Sequence, residues 1–241
     1  MKFVFFILAI FCFSIIYGQL SFDEIDFKRI PQKKIRHYVI NQTKNETRYI
    51  SNLRASCRNK SDLSGLHTMQ NTYLVKESPQ IVWDAYISAN MAKAWNGKIL
   101  SFGLLCSKWS DYILYNNDDE YCAIDTGQVF FINLRILGGF YNLPVGVQVV
   151  NIDKTNRTIT FSYLEGGKSI GTQTIRFIET PDGFTEVIHE SAFKSSSHFR
   201  DKHLYPYYHT KVLNEFHRNI VKNIANRKDI FIVLTHTVNP D

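Results

Sequence analysis

The sequence predicts an α+β fold: a curved antiparallel β-sheet wrapped around a long C-terminal α-helix, with two short helices after the first strand. Three observations predict it. Between residues 99 and 193, β-rich segments alternate with short turn sequences. An amphipathic stripe runs from Tyr205 to Ile224, and a Ser78-Pro79 helix start stands directly behind the first expected strand.

Met1-Lys2 opens the chain, and residues 3–16 follow without a charge up to Tyr17-Gly18-Gln19. One positive residue, a short apolar core and a small residue at the exit form the pattern of a cleaved secretory signal peptide. A spanning helix needs roughly 20 apolar residues, so cleavage after Gly18 is expected, with an uncleaved signal anchor as the alternative. The product would be secreted or periplasmic. Residues 1–18 are thus read as a signal peptide, 19–66 as a basic extension, 67–228 as the main domain and 229–241 as a tail or edge strand.

The extension shows short apolar islands and no sustained period. Between residues 28 and 60 it carries ten basic side chains against Glu46 alone, within a net charge of +6 for the whole chain. Such an arm suits an anionic surface or simple solvation. It lacks the aromatic interleaving of a nucleic-acid platform, and no nucleic-acid partner is expected. Hydrophobic residues at 44% and aromatics at 14% supply a sizeable core and exclude general disorder.

The main domain begins after Ser61-Asp-Leu-Ser-Gly65. Thr68–Val75 reads as a strand; Ile81, Val82, Ala85 and Tyr86 give a helical stripe, and Ala89–Trp95 a second short helix closed by Asn96-Gly97. Strands are expected at 99–105, 127–136, 145–152, 158–164, 171–178 and 184–193, separated by turn chemistry such as Asp153-Lys-Thr-Asn156 and Pro181-Asp-Gly183. The short separators imply antiparallel pairing. Tyr205, Tyr208, Val212, Phe216, Ile220 and Ile224 then recur at steps of three and four over a helix from 205 to 225, with Lys211, Glu215, Arg218 and Lys222 off the stripe.

Candidate chemistry is sparse. With Cys12 inside the signal peptide, Cys57, Cys106 and Cys122 remain, which suggests one disulfide and one spare thiol in an oxidising compartment. Cys106 and Cys122 flank a polar loop between expected strands and are the expected pair. The absence of a CxxC or Cys/His ligand spacing argues against a metal site. His189, His198, His203, His209 and His217 cluster in sequence, but His209 and His217 would lie about 80° apart on a helix, not as a metal-binding pair. Structural or surface roles are expected, with acid/base use ahead of metal ligation. His189 and Glu190 should face opposite sides of a strand. Asp118-Asp119-Glu120 reads as a solvated loop, Ser195-Ser196-Ser197 lacks a nucleophile context, and Gly138-Gly139-Phe140 opens no clear phosphate-binding helix. No catalytic set emerges. Sequons stand at Asn41, Asn45, Asn59 and Asn156.

Over about residues 68–226 the chain resembles the helix-grip superfamily, which includes steroidogenic acute regulatory-related (START-like) lipid-transfer domains, the birch pollen allergen family and polyketide cyclase-like (SRPBCC) proteins. The matching segments are Ser78-Pro-Gln-Ile-Val-Trp83, Ile159-Thr-Phe-Ser-Tyr163 with Gly171 onward, and the terminal helix. The resemblance implies a hollow between sheet and helix that holds a lipid, sterol or polyketide-like molecule without a cofactor. Tyr208, Val212, Phe216 and Ile220 would form its helix wall, facing Phe131, Phe161, Tyr163 and Phe193. Two alternatives stay open: a cyclase- or hydratase-type enzyme with a pocket His or Tyr as acid or base, and an interaction domain with a filled core. A pocket-facing His or carboxylate would favour the enzyme, and an all-apolar hollow the binding protein.

Overall fold

A computed structural model describes residues 19–43, 48–57, 60–116, 118, 120–222, 224 and 231–239. The expected signal peptide, the Asn45 and Asn59 sequons and Asp119 lie outside the described residues. The strands are β1 (His67–Val75), β2 (Leu100–Ser107), β3 (Ile113–Tyr115), β4 (Gln128–Ile136), β5 (Tyr141–Asp153), β6 (Thr158–Tyr163), β7 (Ser169–Glu179), β8 (Thr185–Ser195) and β9 (Phe231–Asn239). The helices are α1 (Lys33–Thr43), α2 (Pro79–Ser88), α3 (Met91–Ala94) and α4 (Tyr205–Val221).

All nine strands join one antiparallel sheet in the order β3-β2-β4-β5-β6-β7-β8-β1-β9. Strands β4 to β8 form a meander, and β1 closes onto β8 from the far end of the domain. The seam pairs His67 with Phe193 and Val75 with Thr185. Pro79 stands at the first turn of α2, where its missing N–H leaves nothing unpaired. Asn90 caps α3, its side chain accepting from the Lys93 N–H at 3.2 Å. Helix α4 lies against the inner face of the curved sheet, burying Val212, Leu213, Phe216, Ile220 and Val221. This is the helix-grip architecture, present in full.

Alternation along the strands divides apolar residues between two cores. Phe130 and Ile132 of β4 point inward under α4, whereas Val129 and Phe131 point outward. The outer face would be an apolar surface in water, and the N-terminal segment covers it. Leu20, Phe22, Ile30, Ile35, Val39 and Ile50 pack there against Leu104, Val129, Phe131 and Leu164. Helix α1 lies close on the sheet at Gly103, where an added Cβ would collide with the Ile35 side chain. The basic side chains of this segment are partly engaged: Arg29 pairs with Asp118 and lies over the Tyr115 ring, and Arg36 donates to the Ile30 carbonyl at 2.9 Å.

One exposed-looking residue of α4 has a structural task. The Glu215 carboxylate accepts from the backbone N–H groups of Lys98 at 2.6 Å, Ile99 at 2.8 Å and Leu100 at 2.8 Å. It fastens the long helix to the turn between α3 and β2. Gly97 stands opposite it, where a Cβ would overlap the carboxylate and displace it.

In the structure Cys57, Cys106 and Cys122 are all free thiols, without the expected Cys106–Cys122 bond. Cys106 is buried in the outer core, paired in register with Ile113 and Val129. Cys122 is exposed in the loop after β3, its N–H donating to the Tyr112 hydroxyl, and Tyr112 packs on the inner core. Cys106 is closed inside a core, whereas Cys122 lies at the surface.

Candidate functional site: an apolar cavity ending in a hydrogen-bond chain

A cavity of about 460 Å³ lies between α4 and the sheet, bounded by β4, β5, the β6–β7 turn and the turn that leads into α4. Its wall is mostly hydrocarbon: Ile132, Leu134, Val145, Val147 and Val212, with the Trp95 ring beside them. Tyr38 of α1 reaches the same space, so the N-terminal segment contributes to the wall. Leu137, Tyr141, Lys168, Arg200 and Leu204 also line the cavity; each is at least partly exposed. Lys168 Nζ lies 3.0 Å from the Tyr141 hydroxyl; Arg200 donates to the Lys168 carbonyl and, from Nε, to Ser195 Oγ at 3.0 Å.

Of the eight expected wall residues, Tyr163, Tyr208 and Val212 line the cavity. Phe161, Phe193, Phe216 and Ile220 sit on the inner face but in its filled part; Phe216 stacks on Trp95 at 4.0 Å between ring centres. Phe131 is a correction, because it points into the outer core and meets Tyr38 edge-on at 6.1 Å. Its neighbours in β4 set the parity: two apolar faces give a continuous apolar run, which conceals which residues face in.

The polar part of the site is a chain of six buried or half-buried side chains. Tyr86 hydroxyl meets His217 Nδ1 at 2.6 Å, His217 Nε2 meets His189 Nδ1 at 2.9 Å, and His189 Nε2 meets Gln173 Oε1 at 2.9 Å. Gln173 Nε2 then donates to the Tyr163 hydroxyl at 2.9 Å, and Tyr163 shares a hydrogen bond with Tyr205. The chain begins on α2, crosses α4, β8, β7 and β6, and returns to α4. Gln173, Tyr163 and Tyr205 belong to the cavity wall, and so does His209, which stacks on Tyr205 at 4.6 Å and faces His189 edge-on at 6.2 Å.

Burial sets the protonation of these groups. It holds His209 and His217 down at about 3 and His189 well below the ordinary histidine value, nearby imidazoles adding to the effect. Burial pushes Tyr163 up to about 12 and raises Tyr86 and Tyr205 well above their usual value. Every member of the chain is therefore neutral at physiological pH. Glu190 faces away from His189 and pairs with Arg176 at 2.7 Å.

Sequence reasoning expected structural or surface roles for these histidines and missed the chain. Two signals were available: His209 falls within the buried stripe, four residues after Tyr205, and the alternation of β8 turns His189 inward with Val187 and Phe193. Nothing local in the sequence joins Tyr86 to His217, 131 positions away.

No family model matches the sequence, and no curated protein is similar to it. Among solved structures, ginseng major latex-like protein 151 from Panax ginseng overlaps at a TM-score of 0.49 and 14% identity, over 67% of this chain and 99% of that one. Norcoclaurine synthase from Thalictrum flavum, in complex with dopamine and hydroxybenzaldehyde, overlaps at 0.49 and 14%, over 72% and 95%. KanY overlaps at 0.47 and 12%, over 66% and 98%. Independently of these overlaps, the strand order, the paired short helices behind β1 and the long helix seated in the sheet make the chain a helix-grip fold.

Proposed function

We propose that this is an exported protein that binds an apolar small molecule in the cavity between α4 and the sheet. The observation that carries the reading is the cavity itself: about 460 Å³ of space with a mostly hydrocarbon wall, within the range of roughly 300 to 1,000 Å³ typical of small-molecule sites. A filled-core domain would leave no such space. Export is supported by the charge-free run at residues 3–16 and the small residue before Gln19.

The presence of His209 in the wall favours the enzyme alternative, and its protonation favours binding. A general acid or base works best with a pKa near the operating pH. A histidine held at about 3, a Tyr163 raised to about 12 and a Tyr205 raised well above its usual value neither take nor give protons readily at neutral pH. They serve better as fixed, neutral hydrogen-bonding groups.

Native mass spectrometry of protein isolated from its source cells tests the reading. The expected spectrum shows a chain beginning near Gln19 and carrying a co-purified small molecule that organic solvent removes. A chain that still begins at Met1 counts against export. A mature chain that carries no ligand and takes up no fatty-acid or sterol probe counts against the binding function.

A further inference from the structure

We propose that the mouth of the cavity docks on a lipid bilayer containing anionic lipids. Phe140 and Phe199 insert at the interface, and Lys168, Arg200 and Lys202 lie against the headgroups.

The sheet brings three turns together around the cavity: residues 137–140 between β4 and β5, residues 164–168 between β6 and β7, and residues 196–204 leading from β8 into α4. They are tied to one another. Lys168 Nζ lies 3.0 Å from the Tyr141 hydroxyl, Arg200 donates to the Lys168 carbonyl, and Ser169 pairs in register with Ser195. On these turns Phe140 is 97% exposed, Leu137 and Phe199 are each 63% exposed, and Leu204 is 42% exposed. At Gly138 and Gly139 an added Cβ would meet nothing within 4 Å, so the tip that carries Leu137 and Phe140 stands clear of the body. Single exposed apolar side chains are ordinary on a protein surface, but several on adjoining turns around one opening form a patch that a partner covers.

Charge selects the partner. The charged side chains of the three turns are Lys168, Arg200, Lys202, Glu165 and Asp201. Asp201 is buried and accepts from the Ser195 N–H at 2.8 Å, which leaves Glu165 as the exposed acid against three cations. Apolar side chains interleaved with cations match a bilayer interface, hydrocarbon below and anionic headgroups above. A second copy of the chain suits the patch less well. A two-fold dimer through it sets the same three cations of each copy against one another. Docked at its mouth, the cavity exchanges an apolar molecule with the bilayer without passing it through water.

Co-flotation of the full mature chain with vesicles tests this. Vesicles of phosphatidylcholine with about one-third phosphatidylglycerol should bind the chain at least about fivefold more tightly than pure phosphatidylcholine. Phe140→Ser and Phe199→Ser should each weaken that binding about fivefold or more, and the Lys168→Ser, Lys202→Ser double variant should remove most of the preference for anionic vesicles. Ile178→Ser, at an exposed site at the far end of β7, and Lys33→Ser with Lys34→Ser in the N-terminal segment should bind like the parent chain. In Phe140→Trp, brominated lipid should quench emission beyond the quenching seen in the parent. Absence of flotation with anionic vesicles, or flotation unchanged by both phenylalanine variants, would overturn the docking proposal. Loss of binding in the Lys33, Lys34 variant alone would overturn it in favour of the N-terminal segment. A dimer in sedimentation velocity that Phe140→Ser dissociates, without vesicle binding, would overturn it in favour of a contact between copies. Uptake of Nile red in vesicle-free solution is read separately: uptake without flotation defeats docking and leaves the cavity reading intact, whereas flotation without uptake does the reverse.

Discussion

His189, His209 and His217 are kept neutral by burial, and this ties the stability of the fold to pH. In an unfolded chain histidine titrates near 6.5, whereas in the fold His209 and His217 are held at about 3 and His189 is also depressed. Between those values the unfolded chain binds more protons than the folded one, so stability rises with pH across that window. The contribution is complete above about pH 6.5 and is lost as the pH falls toward 3, by up to about 1.4 kcal/mol per pH unit for each histidine. Urea unfolding should give a constant stability above about pH 7 and a loss of about 2 kcal/mol or more between about pH 6.5 and 5, before carboxylates begin to titrate. An unchanged midpoint down to about pH 5 would contradict the burial of these imidazoles.

At the scale of elements, the three N–H groups that converge on Glu215 are the point where α4 is fixed to the sheet. Hydrogen bonds to a charged acceptor are worth about 1.5 to 3 kcal/mol each in isolation, and they are not additive. Replacing Glu215 with Ala should therefore cost about 3 kcal/mol by urea unfolding, whereas Lys222→Ala, at the exposed C-cap just after the same helix, should cost about 0.5 kcal/mol or less. Equal effects would mean that the contact is incidental. Glu215 also shows what the sequence conceals. A helical stripe marks the buried face of α4 well, yet a charged residue off the stripe reads as solvated whether or not a distant turn offers it donors. Most strands and α2 to α4 were legible because their periods are sustained and their turns carry Gly, Pro, Asn and Asp. Helix α1 was not, since only Ile35 and Val39 mark its buried face among the apolar residues and its formation depends on packing against the outer sheet. In the site, Tyr163 and Tyr208 were legible from strand alternation and helix period. The inward and outward residues of β4 were not separable, because a strand covered on both faces has no alternation to read.

At the scale of the whole molecule, one sheet carries two cores, and the N-terminal segment is the lid of the outer one. A chain lacking residues 19–57 would expose Leu104, Val129, Phe131 and Leu164 together on the outer face of the sheet. Large contiguous apolar patches of this kind drive association. The truncated protein should be recovered aggregated or binding an apolar dye, as judged by size-exclusion chromatography and dye fluorescence; a monomeric, cooperatively unfolding fragment would show that the segment is dispensable. The double covering also grades the molecule in its dynamics. All eight residues of β2 are buried, so their amide hydrogens exchange with water only when the whole domain opens. The turns of the cavity's rim, from Leu137 to Phe140 and from Gly166 to Lys168, are partly or fully exposed and belong to the low end of that scale. A ligand can therefore enter by local opening on the rim side, at a small fraction of the global unfolding free energy, while the β2 and β4 side of the sheet stays closed.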